Sequence, residues 1–267
     1  MAYVKIGEYE ISDTDKKCVD KIVTEFLEQK VEIIKGELPN SGRSRKNNKH
    51  FVLKTDIQQN VGIKIPFNER SDLDVELVVK EVRDAQNFFG YKIEKILGFP
   101  MDGDEWRNGY LLISDWGKEG VRINLRDLNQ SQVSDHGSEF LNQLAVNSAI
   151  SCFLGIWDRE PRNFVWDTIE KKIISIDHEK FYSKPWDLEL CEHLASCVKK
   201  FFGDLWYDQQ NLQREFSEEF NSTWKILTNN ISTITEIYKR YNFSTRSSLL
   251  KLRINKGADF FLGNIML

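Results

Sequence analysis

The most informative stretch of this chain reads Gly155-Ile-Trp-Asp-Arg-Glu-Pro-Arg-Asn-Phe-Val-Trp166, and Ile173-Ile-Ser-Ile-Asp-His-Glu179 follows it. In the first part, Asp158 and Asn163 lie five positions apart in a polar loop between a helical pattern and a strand pattern. In the second, Asp177 ends the next apolar strand. Phosphoryl transfer uses such a set, because one carboxylate orients and deprotonates the accepting hydroxyl while an amide and a second carboxylate hold Mg²⁺.

Loop Asp and Asn residues are also common turn formers, because their side chains bond to nearby backbone groups. The spacing of Asp158 and Asn163 alone therefore favours a turn. The second strand, which ends in Ile176-Asp177, changes that balance and favours a catalytic interpretation.

Residues 155–179 resemble the catalytic and metal loops of the atypical kinases that include the HipA-like protein kinases and the phosphatidylinositol 3-/4-kinase group. Those families have D-R-H-x-x-N or D-x-H-x-x-N, followed by an apolar strand that ends in Asp. The resemblance implies that Asp158 is the catalytic aspartate, that Asn163 is a metal ligand, and that Asp177 is the principal Mg²⁺ ligand.

Other residues of this segment depart from the family pattern or extend it. Glu160 stands where these families usually have His, which argues against lipid kinase activity. Asp177-His178-Glu179 replaces the Asp-Phe-Gly of ordinary protein kinases. Arg159 is expected to orient the loop or to contact phosphate charge.

The N-terminal half supplies the candidate nucleotide-binding residues. Val61-Gly-Ile-Lys64 closes the second of two paired strands before a long helix, which is similar to the HipA-like pattern. Lys64 is the lysine expected to pair with the α- and β-phosphates, with Lys54 as the rival. Its partner is expected to be Glu81 on the following helix, and Glu76 is the alternative.

Two further segments are expected to contact the nucleotide. Gly42 and Ser44, in a basic turn between two strands, could cover the phosphates through backbone amides and a hydroxyl, although the segment matches no P-loop. Equally, this turn could be a solvated basic loop. Backbone groups around Ser114–Gly117, including Asp115, are expected to bond the adenine edge, with Ile113 as one wall of the pocket.

The pattern along the chain predicts an α+β, bilobal, protein-kinase-like fold. Short strands and one main amphipathic helix (about 73–89) occupy the first part, a buried helix is predicted over 139–154, and nearly everything after 187 is helical. Residues 1–114 are expected to form a nucleotide-binding lobe. Residues 115–267 are expected to form a catalytic lobe with a helical tail, joined at Ser114–Gly117.

Composition limits the remaining classes. The 37 Lys and Arg residues against 41 Asp and Glu residues give a net charge of −4, which disfavours general nucleic-acid binding. The four cysteines have no C-x-x-C spacing, and no long uncharged apolar stretch or signal-like segment occurs. We therefore expect a cytoplasmic protein without membrane insertion.

The sequence thus predicts an ATP- and Mg²⁺-dependent kinase whose acceptor is a hydroxyl group, first of all that of a protein Ser or Thr. Two alternatives are kept. One is a small-molecule phosphotransferase of the aminoglycoside or choline kinase type, and the other is a nucleotide-binding pseudokinase that acts as a regulatory module with a protein partner.

Overall fold

The structure is a computed structural model that describes residues 3–6, 9–37, 48–66, 74–97, 110–133, 136–178, 181, 188–203, 206 and 210–266. The chain forms two compact units. The first comprises Met1–Leu73 and Tyr91–Val121, and the second comprises Asp74–Gly90 and Arg122–Leu267. The predicted α+β class, with a β-rich N-terminal part and a mostly helical C-terminal part, is confirmed.

Within the described residues, the first unit contains a seven-stranded sheet in the order β2-β1-β3-β4-β5-β7-β6 and one helix, α1 (Asp13–Leu27). Adjacent strands are antiparallel except for β1 and β3. The strands are β1 (Tyr3–Ile6), β2 (Tyr9–Ser12), β3 (Ile33–Glu37), β4 (Asn48–Thr55), β5 (Gln59–Pro66), β6 (Ile93–Leu97) and β7 (Tyr110–Lys118).

One face of this sheet forms the core of the first unit. Because side chains alternate along a strand, every second residue of β5 and β7 points to the same face. Helix α1 contributes Val19, Val23 and Phe26 to the core. The sheet contributes Leu53, Val61, Ile63, Leu111 and Ile113. The intervening residues of β5 and β7 therefore lie on the opposite face.

The second unit contains a small sheet and most of the helices. Strands β8 (Arg122–Asn124), β9 (Phe164–Asp167) and β10 (Lys172–Ser175) pair antiparallel in the order β10-β9-β8. Among the described residues the helices are α2 (Asp74–Ala85), α3 (Gly137–Leu154), α4 (Leu188–Phe202), α5 (Gln210–Asn229), α6 (Ile231–Arg240), α7 (Arg246–Lys256) and α8 (Ala258–Met266).

Helix α3 lies at the centre of the second unit. Its residues from Leu144 to Leu154 are almost all buried, and it packs against α4, α5, α7 and β10. This confirms the buried helix predicted from its apolar sequence. No helix in the described part of the chain has both the length and the apolar composition required to cross a bilayer.

The boundaries of the elements differ from the predicted ones in two places that matter for function. Strand β7 continues to Lys118, so the predicted joint at Ser114–Gly117 lies inside a strand. Residues 74–90 cluster with the second unit. The division into a nucleotide-binding lobe (1–114) and a catalytic lobe (115–267) stays a prediction.

Candidate active site

The predicted catalytic loop begins where helix α3 is capped. Gly155 has a φ of 70°, and its N–H donates to the Ser151 carbonyl over 2.8 Å. A Cβ at this position would lie 2.2 Å from the guanidinium of the buried Arg253, which itself donates to the Leu154 carbonyl. Both the left-handed backbone and the close approach therefore require glycine here.

Asp158 presents one occupied and one unoccupied carboxylate oxygen. Oδ2 accepts from Arg162 Nη2 over 2.9 Å. Oδ1 is buried, and no described residue donates a hydrogen bond to it. Because a buried acceptor without a donor is costly, an incoming hydroxyl would supply what this oxygen lacks.

Asn163 is buried and connects the catalytic loop to the metal loop. Its Nδ2 donates to the Asp158 carbonyl, which leaves the amide oxygen as the atom that could face a cation. Its backbone carbonyl accepts from the Ile176 N–H over 3.0 Å, at the end of the β9–β10 hairpin. The residue next to Ile176 is Asp177, so the two loops meet.

Asp158 and Asp177 both adopt the left-handed region, with φ values of 57° and 60°. The other non-glycine residues of this kind in the described ranges follow helices or form hairpin turns: Glu28, Gln58, Asn87, Lys171 and Asn242. Such a backbone is unfavourable for a residue with a side chain and persists where surrounding contacts enforce it. The two predicted site aspartates are therefore held in position by their surroundings.

Arg159 supplies those contacts. Its side chain is fully buried, and Nη2 donates to the Asp177 carbonyl over 2.8 Å. Nη1 donates to the Ile176 carbonyl over 3.0 Å, and Nε donates to the Trp157 carbonyl over 3.1 Å. The guanidinium thus fits the loop-orienting role and not the phosphate-contacting one.

Arg162 brings a positive charge to the three acidic groups of the loops. It pairs with Asp158 and, through Nε, with Glu160 over 3.3 Å. Burial alone would lower the pKa of Arg162, but the hydrogen bond and charge of Asp158, together with the charges of Glu160 and Asp177, raise it. The Asp177 carboxylate is thus close enough to stabilise the positive charge of Arg162. Arg162 is not among the residues that the sequence predicts for the site.

A magnesium site at Asn163 and Asp177 fits the donor chemistry. An amide oxygen and a carboxylate are hard oxygen ligands, and Mg²⁺ usually takes one or two carboxylates and completes its shell with phosphates and water. Among the described residues, no group of three or more His, Cys, Asp or Glu side chains could hold a metal without such help.

In the first unit, Lys64 and Gly62 lie on the same face of the sheet, and helix α1 packs on the other face. Gly62 pairs with Ser114 across β5 and β7, and Lys64 pairs with Leu112. A Cβ on Gly62 would lie 2.0 Å from Nε1 of Trp116, which donates to the Ser114 hydroxyl over 2.9 Å. The glycine in Val61-Gly-Ile-Lys64 therefore makes room for the indole of Trp116, a residue that is not part of the predicted site.

The structure corrects the expected adenine wall. Ile113 is completely buried in the core under helix α1, on the face opposite Lys64, so the two side chains cannot line one pocket of this sheet. Leu112 and Ser114 occupy the Lys64 face. Asp115 serves the sheet itself, because its N–H donates to the Lys92 carbonyl and its carboxylate accepts from Gln59 and the Gly117 N–H.

The two candidate glutamates of helix α2 have different surroundings. The carboxylate of Glu81 is 26% exposed and contacts the Tyr241 hydroxyl and Arg240. Burial and this hydrogen bond raise the pKa of Tyr241. Glu76 is fully buried and contacts His178. Gly42 and Ser44 lie outside the described residues.

A surface groove of about 740 Å³ in the second unit is lined by other residues. Arg83, Phe88, Gln143, Lys172 and Glu219 are among them. None of the residues predicted for the active site lines it.

Comparisons with known proteins give similarity of structure only. No protein-family model and no curated protein matches the sequence. The chain is similar to a proinflammatory kinase of Helicobacter pylori, CtkA, with 12% identity, a TM-score of 0.49, and coverage of 85% of this chain and 94% of that chain.

It is also similar to WaaP in complex with acyl carrier protein (9% identity, TM-score 0.43, 91% and 98% covered). A third similar structure is the MAP kinase LmaMPK10 of Leishmania major (13% identity, TM-score 0.39, 96% and 88% covered).

Proposed function

We propose that this protein is an ATP- and Mg²⁺-dependent kinase that transfers the γ-phosphoryl group to a hydroxyl, with protein Ser or Thr as the preferred acceptor. One observation carries the proposal. The loops that bear Asp158, Asn163 and Asp177 meet at the end of the β9–β10 hairpin, where hydrogen bonds hold both aspartates in an unfavourable backbone conformation.

The residues of the second unit would act through position and charge. Asp158 would accept the hydrogen bond, and then the proton, of the attacking hydroxyl at its unsatisfied Oδ1. Asn163 and Asp177 would hold Mg²⁺, which when bound neutralises phosphate charge. Arg159 would act as a positioning residue, because its guanidinium bonds the backbone of the metal loop.

In the first unit, Lys64 would pair with the α- and β-phosphates. The base would then lie towards Gly62, Ser114 and Trp116, on the face that Lys64 shares. We keep Glu81 as the proposed partner of Lys64, because its carboxylate is partly exposed whereas that of Glu76 is fully buried. Gly42 and Ser44 stay candidates for covering the phosphates.

A nucleotide-binding pseudokinase is the second candidate. The observation that favours it is the Arg162 guanidinium on Oδ2 of Asp158, which competes with a substrate for the proposed base. Glu160, in place of the usual His, adds a second negative charge next to Arg162.

Phosphoryl transfer from radiolabelled ATP tests the proposal. The full chain would be incubated with ATP and Mg²⁺ alone, with protein acceptors and with a panel of small metabolites. We expect label on protein, with Asp158→Ala lowering the rate by roughly 10²–10⁴-fold and Asp177→Ala abolishing transfer. Asp127→Ala, a change at an exposed aspartate of the same unit, should leave the rate unchanged.

The outcomes separate the candidates. Label on a metabolite alone would indicate a small-molecule phosphotransferase, and ATP–Mg²⁺ binding without transfer would indicate a pseudokinase. Wild-type transfer rates in the Asp177→Ala variant would rule out the proposed site.

A further inference from the structure

A chain of four buried polar side chains joins the catalytic loop, the metal loop and helix α2. Arg159 Nη1 donates to Ser175 Oγ over 2.9 Å. Ser175 Oγ lies 2.8 Å from His178 Nε2, and His178 Nδ1 lies 3.3 Å from Glu76 Oε2. All four residues are at most 2% exposed. Each of these four side chains therefore contacts the next one directly, without intervening solvent.

The hydrogen bonds of this chain all point in one direction. His178 is buried, and each of its two ring nitrogens faces one neighbour, Ser175 at Nε2 and Glu76 at Nδ1. A neutral imidazole has one donor and one acceptor nitrogen. Ser175, which accepts from Arg159, can donate to Nε2, and the Nδ1–H can donate to Glu76. This arrangement gives each of these contacts one donor and one acceptor.

The backbone of Asp177 is held by two residues of this hydrogen-bonded series, Arg159 and His178. The carbonyl before it and its own carbonyl both accept from Arg159, and the residue after it is His178. The left-handed backbone of Asp177 is thus held from both sides. A movement of Glu76 would therefore change the position of Asp177 through one intervening side chain, that of His178.

Glu76 carries the buried carboxylate of helix α2. The other buried residues of α2 are Val75, Leu77, Val78, Val79, Val82 and Arg83. A buried carboxylate is rare unless it is paired, and an apolar side chain in its place would avoid the cost of desolvation. Packing alone therefore does not explain glutamate at this position.

We propose that Glu76 and His178 are positioning residues, through which helix α2 holds Asp177 in the conformation that presents its carboxylate to the metal. This inference rests on the proposed function, because it assigns Asp177 to Mg²⁺. It goes further in making the affinity for the metal depend on a residue of helix α2 that touches neither metal nor nucleotide.

Metal binding can be measured without turnover. In the full chain with ADP present, Mn²⁺ serves as the probe, and the electron paramagnetic resonance signal of free Mn²⁺ gives its dissociation constant. Removal of a residue that orients a metal ligand typically weakens binding roughly 10–100-fold. We expect a weakening of this size for Glu76→Ala. Glu76→Gln, whose amide oxygen can still accept from His178, should bind Mn²⁺ almost as the wild type does.

Arg83 provides a matched control on the same helix. It is also buried and polar, but it bonds Asn147 over 2.7 Å and the Phe89 carbonyl over 2.9 Å. Arg83→Lys keeps the positive charge near His178 but loses the geometry of these two bonds, so it should lower the melting temperature and leave the Mn²⁺ constant unchanged. Ser175→Ala, a smaller change in the middle of the chain, should weaken Mn²⁺ binding even if Glu76→Ala does not fold.

The outcomes are distinct. If the wild type binds no Mn²⁺–ADP, the proposed function fails. If the wild type binds, but the Glu76 and Ser175 variants bind equally well, the positioning role is wrong while the kinase proposal stands. Equal weakening of Mn²⁺ binding by Arg83→Lys would also overturn the positioning role, since general destabilisation would then explain the effect.

Discussion

The two compact units hold their candidate site residues by different means. In the first unit, strand pairing presents Lys64 and Gly62, with Leu112 and Ser114 opposite them in register. In the second, Asp158 and Asp177 stand in loops whose backbone carbonyls accept hydrogen bonds from the buried side chains of Asn163 and Arg159. Pairing between strands is regular and tolerates side-chain changes, whereas each loop depends on a few specific hydrogen bonds.

The most sensitive point in this comparison is Arg159. Substitution by Met removes the donors of at least two backbone carbonyls of the metal loop. Since each buried acceptor left without a donor costs roughly 1–3 kcal/mol, we expect a loss of about 3 kcal/mol in the free energy of unfolding. Urea denaturation followed by circular dichroism measures it.

Arg126→Met is the matched control for this variant. Arg126 belongs to the same unit, but its side chain is exposed, and its one ion-pair partner among the described residues is its exposed neighbour, Asp127. We expect a change within about 0.5 kcal/mol. A similar loss in both variants would show that the metal loop does not depend on its buried arginine.

A pair of glycines compares the two units directly. Gly155 in the second unit and Gly120 in the first both have positive φ, of 70° and 78°. A Cβ at Gly120 would meet nothing within 4 Å, so Gly120→Ala should cost only the backbone term of about 1 kcal/mol. Gly155→Ala must also displace the buried Arg253, and we expect about 3 kcal/mol.

Urea midpoints of the two variants decide this point. Equal losses of stability would mean that the Arg253 side chain moves aside without a loss in the free energy of unfolding. The start of the catalytic loop would then be less tightly packed than the distances indicate. A larger loss at Gly120 would reverse the comparison.

Cysteine reactivity compares the two units without any substitution, so it is the test with the smallest expected effect on the structure. Cys18 in the first unit is exposed, whereas Cys152, Cys191 and Cys197 in the second are buried. Burial raises the pKa of Cys152 and raises that of Cys197 to about 12, which suppresses the reactive thiolate. We expect one thiol to react with iodoacetamide in the native protein at pH 7.5, and four after unfolding.

Peptide mapping by mass spectrometry identifies the modified residues. Rapid labelling of Cys197, whose sulfur contacts the Arg159 carbonyl, would indicate that the catalytic loop opens in the native protein. Labelling of Cys18 alone would support a closed second unit.

Much of the secondary structure was predictable because its signals are local. The amphipathic pattern of helix α1, the apolar pattern of α3 and the two short strands β9 and β10 all lie within windows of at most about twenty residues. Strand β8 was missed, since its three residues are half-buried and show no alternation. The pattern of residues 3–11 predicts a single strand, but the structure has two short strands there, β1 and β2, which form a hairpin.

The face on which Ile113 lies could not be predicted. Residues 111–114 are buried on both faces of the sheet, so the sequence there shows no polar alternation that would separate the faces. The pairing of Gly62 with Ser114, 52 positions away, determines the answer.

The amino-acid sequence alone determined the order of helices and strands. It also determined that Asn163 and Asp177 lie close together, because one short hairpin joins them. Tertiary structure decided which groups hold those residues. Glu76 and His178 are 102 positions apart, and Arg253 and Leu154 are 99 apart. Contacts over such separations depend on how whole elements pack, and no local pattern of apolar and polar residues records them.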